Sequence, residues 1–238
     1  MFSDVDVVGA NEAGQVWNFS YRETFQARLA GILCHTMPLP PNAIFFGLAE
    51  EDGAPVFLDV SDPDTGAILV AGGPSSGKTA LLQVVTSGIS YTHDPAEVQF
   101  AVITPKPWQW TEWENSRYCS GIFAPDEVRT ANLLTALGLW MKRPNHDQTF
   151  LLFVDGLEMV EEMDLGNQAR LQNLLAVGPA SRIWTIATVN TENLKGDSPY
   201  LPFLETRLLC LSESVSSIYE CKYSMKENSR WLTFSMFP

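Results

Sequence analysis

Residues Ala67-Ile68-Leu69-Val70-Ala71-Gly72-Gly73-Pro74-Ser75-Ser76-Gly77-Lys78-Thr79-Ala80 decide the fold of this chain. Positions 72 to 79 match GxxxxGK[ST], in which glycines let the backbone bend close to a phosphate while successive N–H groups point at it. The apolar run Ala67 to Ala71 reads as a buried strand, and Ala80 to Val85 as the start of a helix. Strand, glycine-rich turn and helix N-terminus make an anion cradle, to which the helix dipole adds positive potential. The expected nucleotide-binding residues are therefore Gly72, Gly73, Pro74, Ser75, Ser76, Gly77, Lys78, Thr79 and Ala80. Lys78 would reach the β- and γ-phosphates, and the Thr79 hydroxyl would join the shell of Mg²⁺. ATP and Mg²⁺ are the expected ligands.

Outward from this stretch the chain alternates strands with helices. Ala43 to Phe46 and Val56 to Val60 read as strands joined through Asp52-Gly53, a turn dipeptide. Val98 to Ile103 is the next strand. The connection Pro105 to Trp113 carries Trp108, Trp110 and Trp113, which suit a partner surface, a pore loop or a cover for the core. A helix is expected from about Asp126 to Met141, with Val128, Leu133, Leu134, Leu137 and Trp140 as its apolar stripe. Thr149 to Val154 reads as a buried strand ending on Asp155. A helix around Asn167 to Val177 and a strand Ile183 to Thr188 follow, and Arg207 to Leu211 and Trp231 to Met236 close the sheet. This order predicts an α/β fold, a RecA/AAA-like P-loop NTPase with a mostly parallel sheet and helices on both faces. Residues 1–40 read as an N-terminal extension, with a short helix within Tyr21 to Leu33 and a stiff proline linker at 37–41. Residues 41–238 read as the P-loop domain.

Composition narrows the partners. The 238 residues are 45% hydrophobic and 18% charged, enough apolar content for a full core. No apolar stretch approaches the roughly 18 residues of a membrane span, and the N-terminus lacks the basic start and apolar core of a signal peptide. A cytoplasmic location is expected. Cys34, Cys119, Cys210 and Cys221 are scattered, so reduced thiols are expected rather than a metal-thiolate site. Lys+Arg number 15 against Asp+Glu 28, a formal charge of −13, which argues against gripping DNA over a broad face. A small basic loop in a pore is still compatible. The basic cluster is Lys142-Arg143 with His146, which also suits a solvated helix C-terminus.

A P-loop site needs a second acid at the C-terminal end of a neighbouring strand to hold the magnesium shell, and Asp155 has that position. The Lys78–Asp155 spacing leaves room for one intervening βα unit. The residue after Asp155, where hydrolysing ATPases often place a glutamate base, is Gly156. Glu158 is the substitute candidate; it suits equally an acid placed to favour a helix dipole. At the end of the next strand both Thr188 and Asn190 could sense a γ-phosphate. The expected catalytic set is Lys78, Asp155, Glu158 and Asn190, and the expected metal ligands are Thr79 and Asp155. With no base, hydrolysis would slow by about 10²- to 10⁴-fold.

The order of motifs resembles the motor domain of the FtsK/SpoIIIE branch of the FtsK–HerA ATPases. Gly47 to Val56 resembles that family's entry strand pair, and Leu69 to Thr79 its "LVAGxxGSGKS" segment. Asp94 to Val98 followed by Val102 to Lys106 resembles "PxxVxxxxIDPK". Phe153-Val154-Asp155, Ile186-Ala187-Thr188 and Glu205-Thr206-Arg207-Leu208 match its Walker B, sensor and "TRI" strands. The resemblance covers about residues 41 to 220. Thr104 replaces the Asp of "IDPK", Asp155-Gly156 replaces "DE", Val189 or Asn190 replaces the sensor glutamine, and Ser217-Ile218-Tyr219 replaces "DSR". These losses are similar to those in the degenerate ATPase modules of type VII secretion EccC proteins. No stretch matches the helical domain that reads DNA polarity in FtsK.

The resemblance implies self-association into a ring, a hexamer in the motor form, with DNA or another protein as the further partner. The leading expectation is an ATPase motor linked to DNA translocation or segregation, with slow hydrolysis from an atypical base position. Its rival is a hydrolytically impaired ATP-binding assembly or switch module in a secretion-type complex. No lid or acceptor motif accompanies the loop, as a P-loop kinase would need.

Overall fold

The computed structural model describes residues 7–10, 16–19, 29–33, 43–49, 54–60, 65–143, 147–193, 198–211, 219–225 and 228–236. Two short strands, β1 (Val7–Ala10) and β2 (Val16–Phe19), pair with each other in an antiparallel ribbon. Among the described residues, all other strands form one sheet. In chain order they are β3 (Ala43–Ala49), β4 (Pro55–Asp59), β5 (Ala67–Gly72), β6 (Val98–Ile103), β7 (Cys119–Phe123), β8 (Thr149–Asp155), β9 (Ile183–Asn190), β10 (Leu204–Leu211), β11 (Tyr219–Met225) and β12 (Asn228–Met236). Three helices connect them: α1 (Lys78–Thr92), α2 (Val128–Trp140) and α3 (Leu165–Val177).

Across the sheet the order is β4-β3-β12-β11-β10-β5-β9-β8-β6-β7. The six strands from β10 to β7 run parallel, and β11, β12, β3 and β4 extend the sheet as antiparallel neighbours. The RecA-like α/β architecture and its mostly parallel sheet are thus as expected from the sequence.

Alternation along the strands sorts the core into two layers. Ile68, Val70, Val102, Leu151, Phe153 and Ile186 face one way and pack with Leu81, Leu82, Val85 and Ile89 of α1. Leu69, Ile103, Leu152, Val154 and Ala187 face the other way, toward Leu134 and Leu137 of α2 and Leu171 and Leu174 of α3. Strands covered on both faces must be apolar throughout, and every residue of β5 and β8 is buried. Each large aliphatic or aromatic side chain so buried contributes roughly 1.5–3 kcal/mol. The same period of two carries Asp155 and Thr188 to the α1 face, where the helix after the glycine-rich loop also lies.

Several expectations need correction. Val128, read as part of the apolar stripe of α2, is 77% exposed because it is the first helical residue, whereas Leu134 and Leu137 are buried. The chain between α1 and β8 makes two strands, β6 and β7, rather than one βα unit. The strand inserted in space between β5 and β8 is β9, which follows Asp155 in sequence. Strands β1, β2, β7 and β11 are not expected from the sequence; β7 lacks apolar alternation, whereas β11 has it, with Tyr219, Cys221, Tyr223 and Met225 alternating with Glu220, Lys222 and Ser224. Helix α3 starts two residues earlier than expected because Asp164 caps it, accepting from Asn167 N at 3.0 Å. Of the helix expected within 21–33, residues 29–33 are helical, with Leu29 and Leu33 packed against Phe45 and Val84. The linker at 37–41, the Asp52-Gly53 turn, His146, Ser217 and Ile218 lie outside the described residues. Among the described residues no helix is long and apolar enough to cross a membrane.

Candidate functional site

The glycine-rich loop runs from the end of β5 into α1, and two of its glycines are required by geometry. Gly77 precedes the first helical residue with φ 85°, a left-handed conformation that side chains resist. At Gly72 a Cβ would come within 2.9 Å of the Cys210 carbonyl on β10 and would collide with the Ser76 hydroxyl. Ser75 holds φ 59° without being glycine, a local strain of the kind found at functional turns. No side chain caps α1 and its first turn has no acidic residue, so its leading N–H groups are left for an anion. The Lys78 ammonium donates to the carbonyls of Gly72 at 3.0 Å and Gly73 at 2.6 Å, folding back across the loop. Burial pushes its pKa below 10.5, against the opposing pull of Cys210, Glu158 and Asp155. Gly73 has open space where a Cβ would stand, and Pro74 is exposed. Ala80 lies in the first turn of the helix.

Three side chains converge on Asp155, itself buried at the end of β8. The Thr79 hydroxyl lies 3.1 and 3.0 Å from its two oxygens, Thr188 donates to Oδ1 at 2.9 Å, and the Trp110 indole N–H donates to Oδ2 at 3.3 Å. The pairing Asp155↔Thr188 follows from the β8–β9 register, and Val70↔Thr188 and Gly72↔Asn190 from that of β5 and β9. A hydroxyl and a carboxylate therefore meet at the start of α1. Such hard oxygen donors fit Mg²⁺, which takes one or two protein ligands and fills its shell with phosphate and water. Among the described residues there is no cluster of three or more His, Cys, Asp or Glu of the kind that would cage a metal by itself.

Beyond Asp155 the chain turns through Gly156, with φ 116°, into a 3₁₀ turn, Leu157–Glu162. Glu158 sits in the first turn, and its Oε1 accepts from the Asn190 side-chain amide at 2.8 Å. Its Oε2 is buried without a hydrogen-bond partner. The structure thus brings Lys78, Thr79, Asp155, Glu158 and Asn190 to the same end of adjacent strands. Thr188 bonds Asp155 and Asn190 bonds Glu158, so the two candidate sensors have different partners.

Two contacts had no usable sign in the sequence. Trp110 meets Asp155 across a sequence separation of 45 residues, and its spacing read as a choice of surface or core. Cys210 stands beside Gly72 because β10 pairs in parallel with β5, a long-range register that no local pattern announces. The substituted Thr104 of the "IDPK" position is buried and accepts from Lys106 N at 3.1 Å. Lys142 and Arg143 follow α2 in a turn.

This loop, with β9 inserted between its strand and the strand of Asp155, defines a P-loop NTPase domain of RecA-like fold. Residues 40–115 match the FtsK/SpoIIIE family, so the family resemblance of the sequence is supported over that stretch. No curated protein matches the chain. Among solved structures, EssC (ATPases 2 and 3) from Geobacillus thermodenitrificans is similar with TM-score 0.65 at 15% identity, covering 84% of this chain and 48% of that one. The cytoplasmic domain of the Thermomonospora curvata type VII secretion ATPase EccC is similar with TM-score 0.63 at 18% identity, covering 84% of this chain and 27% of that one. Thermomonospora curvata EccC (ATPases 2 and 3), in complex with a signal sequence peptide, has TM-score 0.65 at 16% identity, covering 85% of this chain and 43% of that one. The chain spans about half or less of the length of these relatives.

Proposed function

We propose that this chain is a Mg-ATP-binding module that acts in a multi-protein, secretion-type assembly and hydrolyses ATP slowly. The observation that carries the reading is the Asp155-Gly156 junction: the metal-side carboxylate is in place, while the position for a base is a glycine at φ 116°. The likeness to secretion ATPases EccC and EssC supports the choice of assembly. In this reading residues 72–80 bind the phosphates through backbone N–H groups, and Lys78 moves from the loop carbonyls onto them. Thr79 and Asp155 would hold Mg²⁺, which when bound neutralises charge on the phosphate oxygens. Thr188 orients Asp155. Glu158 is the carboxylate that would take a proton from water, and Asn190 holds it by one oxygen. The chain associates with itself or with related modules in a ring, in the cytoplasm.

A DNA motor is the second reading, favoured by the FtsK/SpoIIIE match over residues 40–115. One experiment separates the two. ATP turnover and DNA binding are measured for the oligomer formed with ATP at about 50 mM salt, where phosphate contacts are strongest. The assembly reading expects slow turnover, no DNA binding and no stimulation by DNA. Turnover that rises with DNA, and drops back in Lys142→Ala/Arg143→Ala, would replace it with the motor.

A further inference from the structure

We propose that Trp110 is a positioning residue for the metal-side carboxylate, holding Asp155 in the orientation that Mg²⁺ requires. The inference rests on the nucleotide-site reading above and adds to it a residue outside the glycine-rich loop and the sheet. Trp110 is fully buried. Phe153 and Asp155 are two residues apart on β8 and so share a face. The indole stacks on Phe153, centroids 6.0 Å apart at 22°, which brings its N–H over Asp155 Oδ2.

The segment carrying Trp110 is itself fixed. Pro107 opens its 3₁₀ turn, and the Gln109 carbonyl accepts from Gln83 of α1 at 2.9 Å. The indole is therefore braced against both the helix that begins with Lys78 and the strand that ends with Asp155. A carboxylate has about four lone-pair sites. Thr188 takes one on Oδ1 and Trp110 one on Oδ2, and Thr79 lies nearly equidistant from both oxygens. The two donors clamp the carboxylate from either oxygen, leaving the side toward Thr79 for a cation. Partners that orient a metal ligand typically change affinity by about 10- to 100-fold when removed.

The test uses Trp110→Phe, which keeps a ring on Phe153 and removes the N–H. Affinity for a fluorescent N-methylanthraniloyl ADP is measured in EDTA and in excess Mg²⁺, with melting temperature recorded. The expected result is unchanged affinity in EDTA and a loss of about tenfold or more in the tightening that Mg²⁺ brings. A full magnesium gain in Trp110→Phe overturns the inference while leaving the nucleotide site intact. Wild-type protein that binds no nucleotide in either buffer overturns the site reading, and this inference with it. Where Trp110→Phe lowers melting temperature and both affinities together, benzothienylalanine at position 110 decides, since it fills the indole shape without an N–H. Retention of the full magnesium gain there overturns the inference; its loss with EDTA affinity intact supports it.

Discussion

The Asn190 side-chain amide donates to Glu158 Oε1 across 2.8 Å, tying the end of β9 to the turn that leaves β8. A carboxylate held by one oxygen has its direction set by its neighbour, and its use as a base depends on the other oxygen. Glu158→Gln should therefore lower ATP turnover by about 10²-fold or more while leaving nucleotide affinity unchanged. Steady-state turnover and binding measured on one preparation check this. Brisk turnover that is indifferent to the change would mean the base lies elsewhere.

Lys78→Ala should remove nucleotide binding. At a ligand concentration of about 100 times Kd, Mg-ATP stabilises the folded state by roughly 2.7 kcal/mol. For a domain of this size that is a rise of about 5–10 °C in Tm. The variant should melt at the same temperature with and without Mg-ATP, and a persisting shift would relocate the site.

Gly156 is conformationally committed as well as chemically different from a glutamate. Its φ of 116° is strained for any other residue, at about 1–3 kcal/mol. Gly156→Ala should therefore lower Tm by roughly 2–12 °C. Gly156→Glu should destabilise similarly and fail to raise turnover, since relieving the strain would turn the new carboxylate away. A faster, fully stable Gly156→Glu would contradict this geometry.

The depressed pKa of Lys78 acts with opposite signs on stability and on affinity. Between its lowered folded value and 10.5 the unfolded chain binds more protons at this group than the folded one. Its contribution to stability thus rises with pH across that window. Nucleotide affinity should instead fall as pH rises through the folded value, because the phosphates need the ammonium. Melting curves of wild type and Lys78→Met, and nucleotide titrations of wild type, over this range check both signs. A flat difference between the two proteins would mean that Lys78 keeps an ordinary pKa.

The α/β reading came from features that are local in the chain. The loop pattern, the apolar runs of β5, β8 and β9, and the Asp closing β8 all lie within single elements. Strand β7 escaped because Cys119-Ser120-Gly121 breaks its apolar alternation, and Gly121 has φ 147°. The site was legible as a set of residue types but not as a set of partners. Thr188 and Asn190 were equivalent in sequence. Register separates them, setting Thr188 opposite Asp155 and Asn190 opposite Gly72. The part played by Trp110 depends on how a long connection folds back on β8, which periodicity does not encode.

The strand order also governs when the phosphate loop can take shape during synthesis. β5 is hydrogen-bonded to β9 on one side and β10 on the other, and both follow it by more than a hundred residues. β3 reaches the sheet through β12, by way of Ala49↔Phe234 and Leu48↔Ser235. A nascent chain that has emerged only as far as residue 115 holds the family-matched segment without the neighbours of its loop strand. Pairings so distant in sequence close slowly. The strand that leads into the phosphate loop thus gains both neighbours only late in synthesis, and until then its unpaired edges are of the kind that chaperones cover.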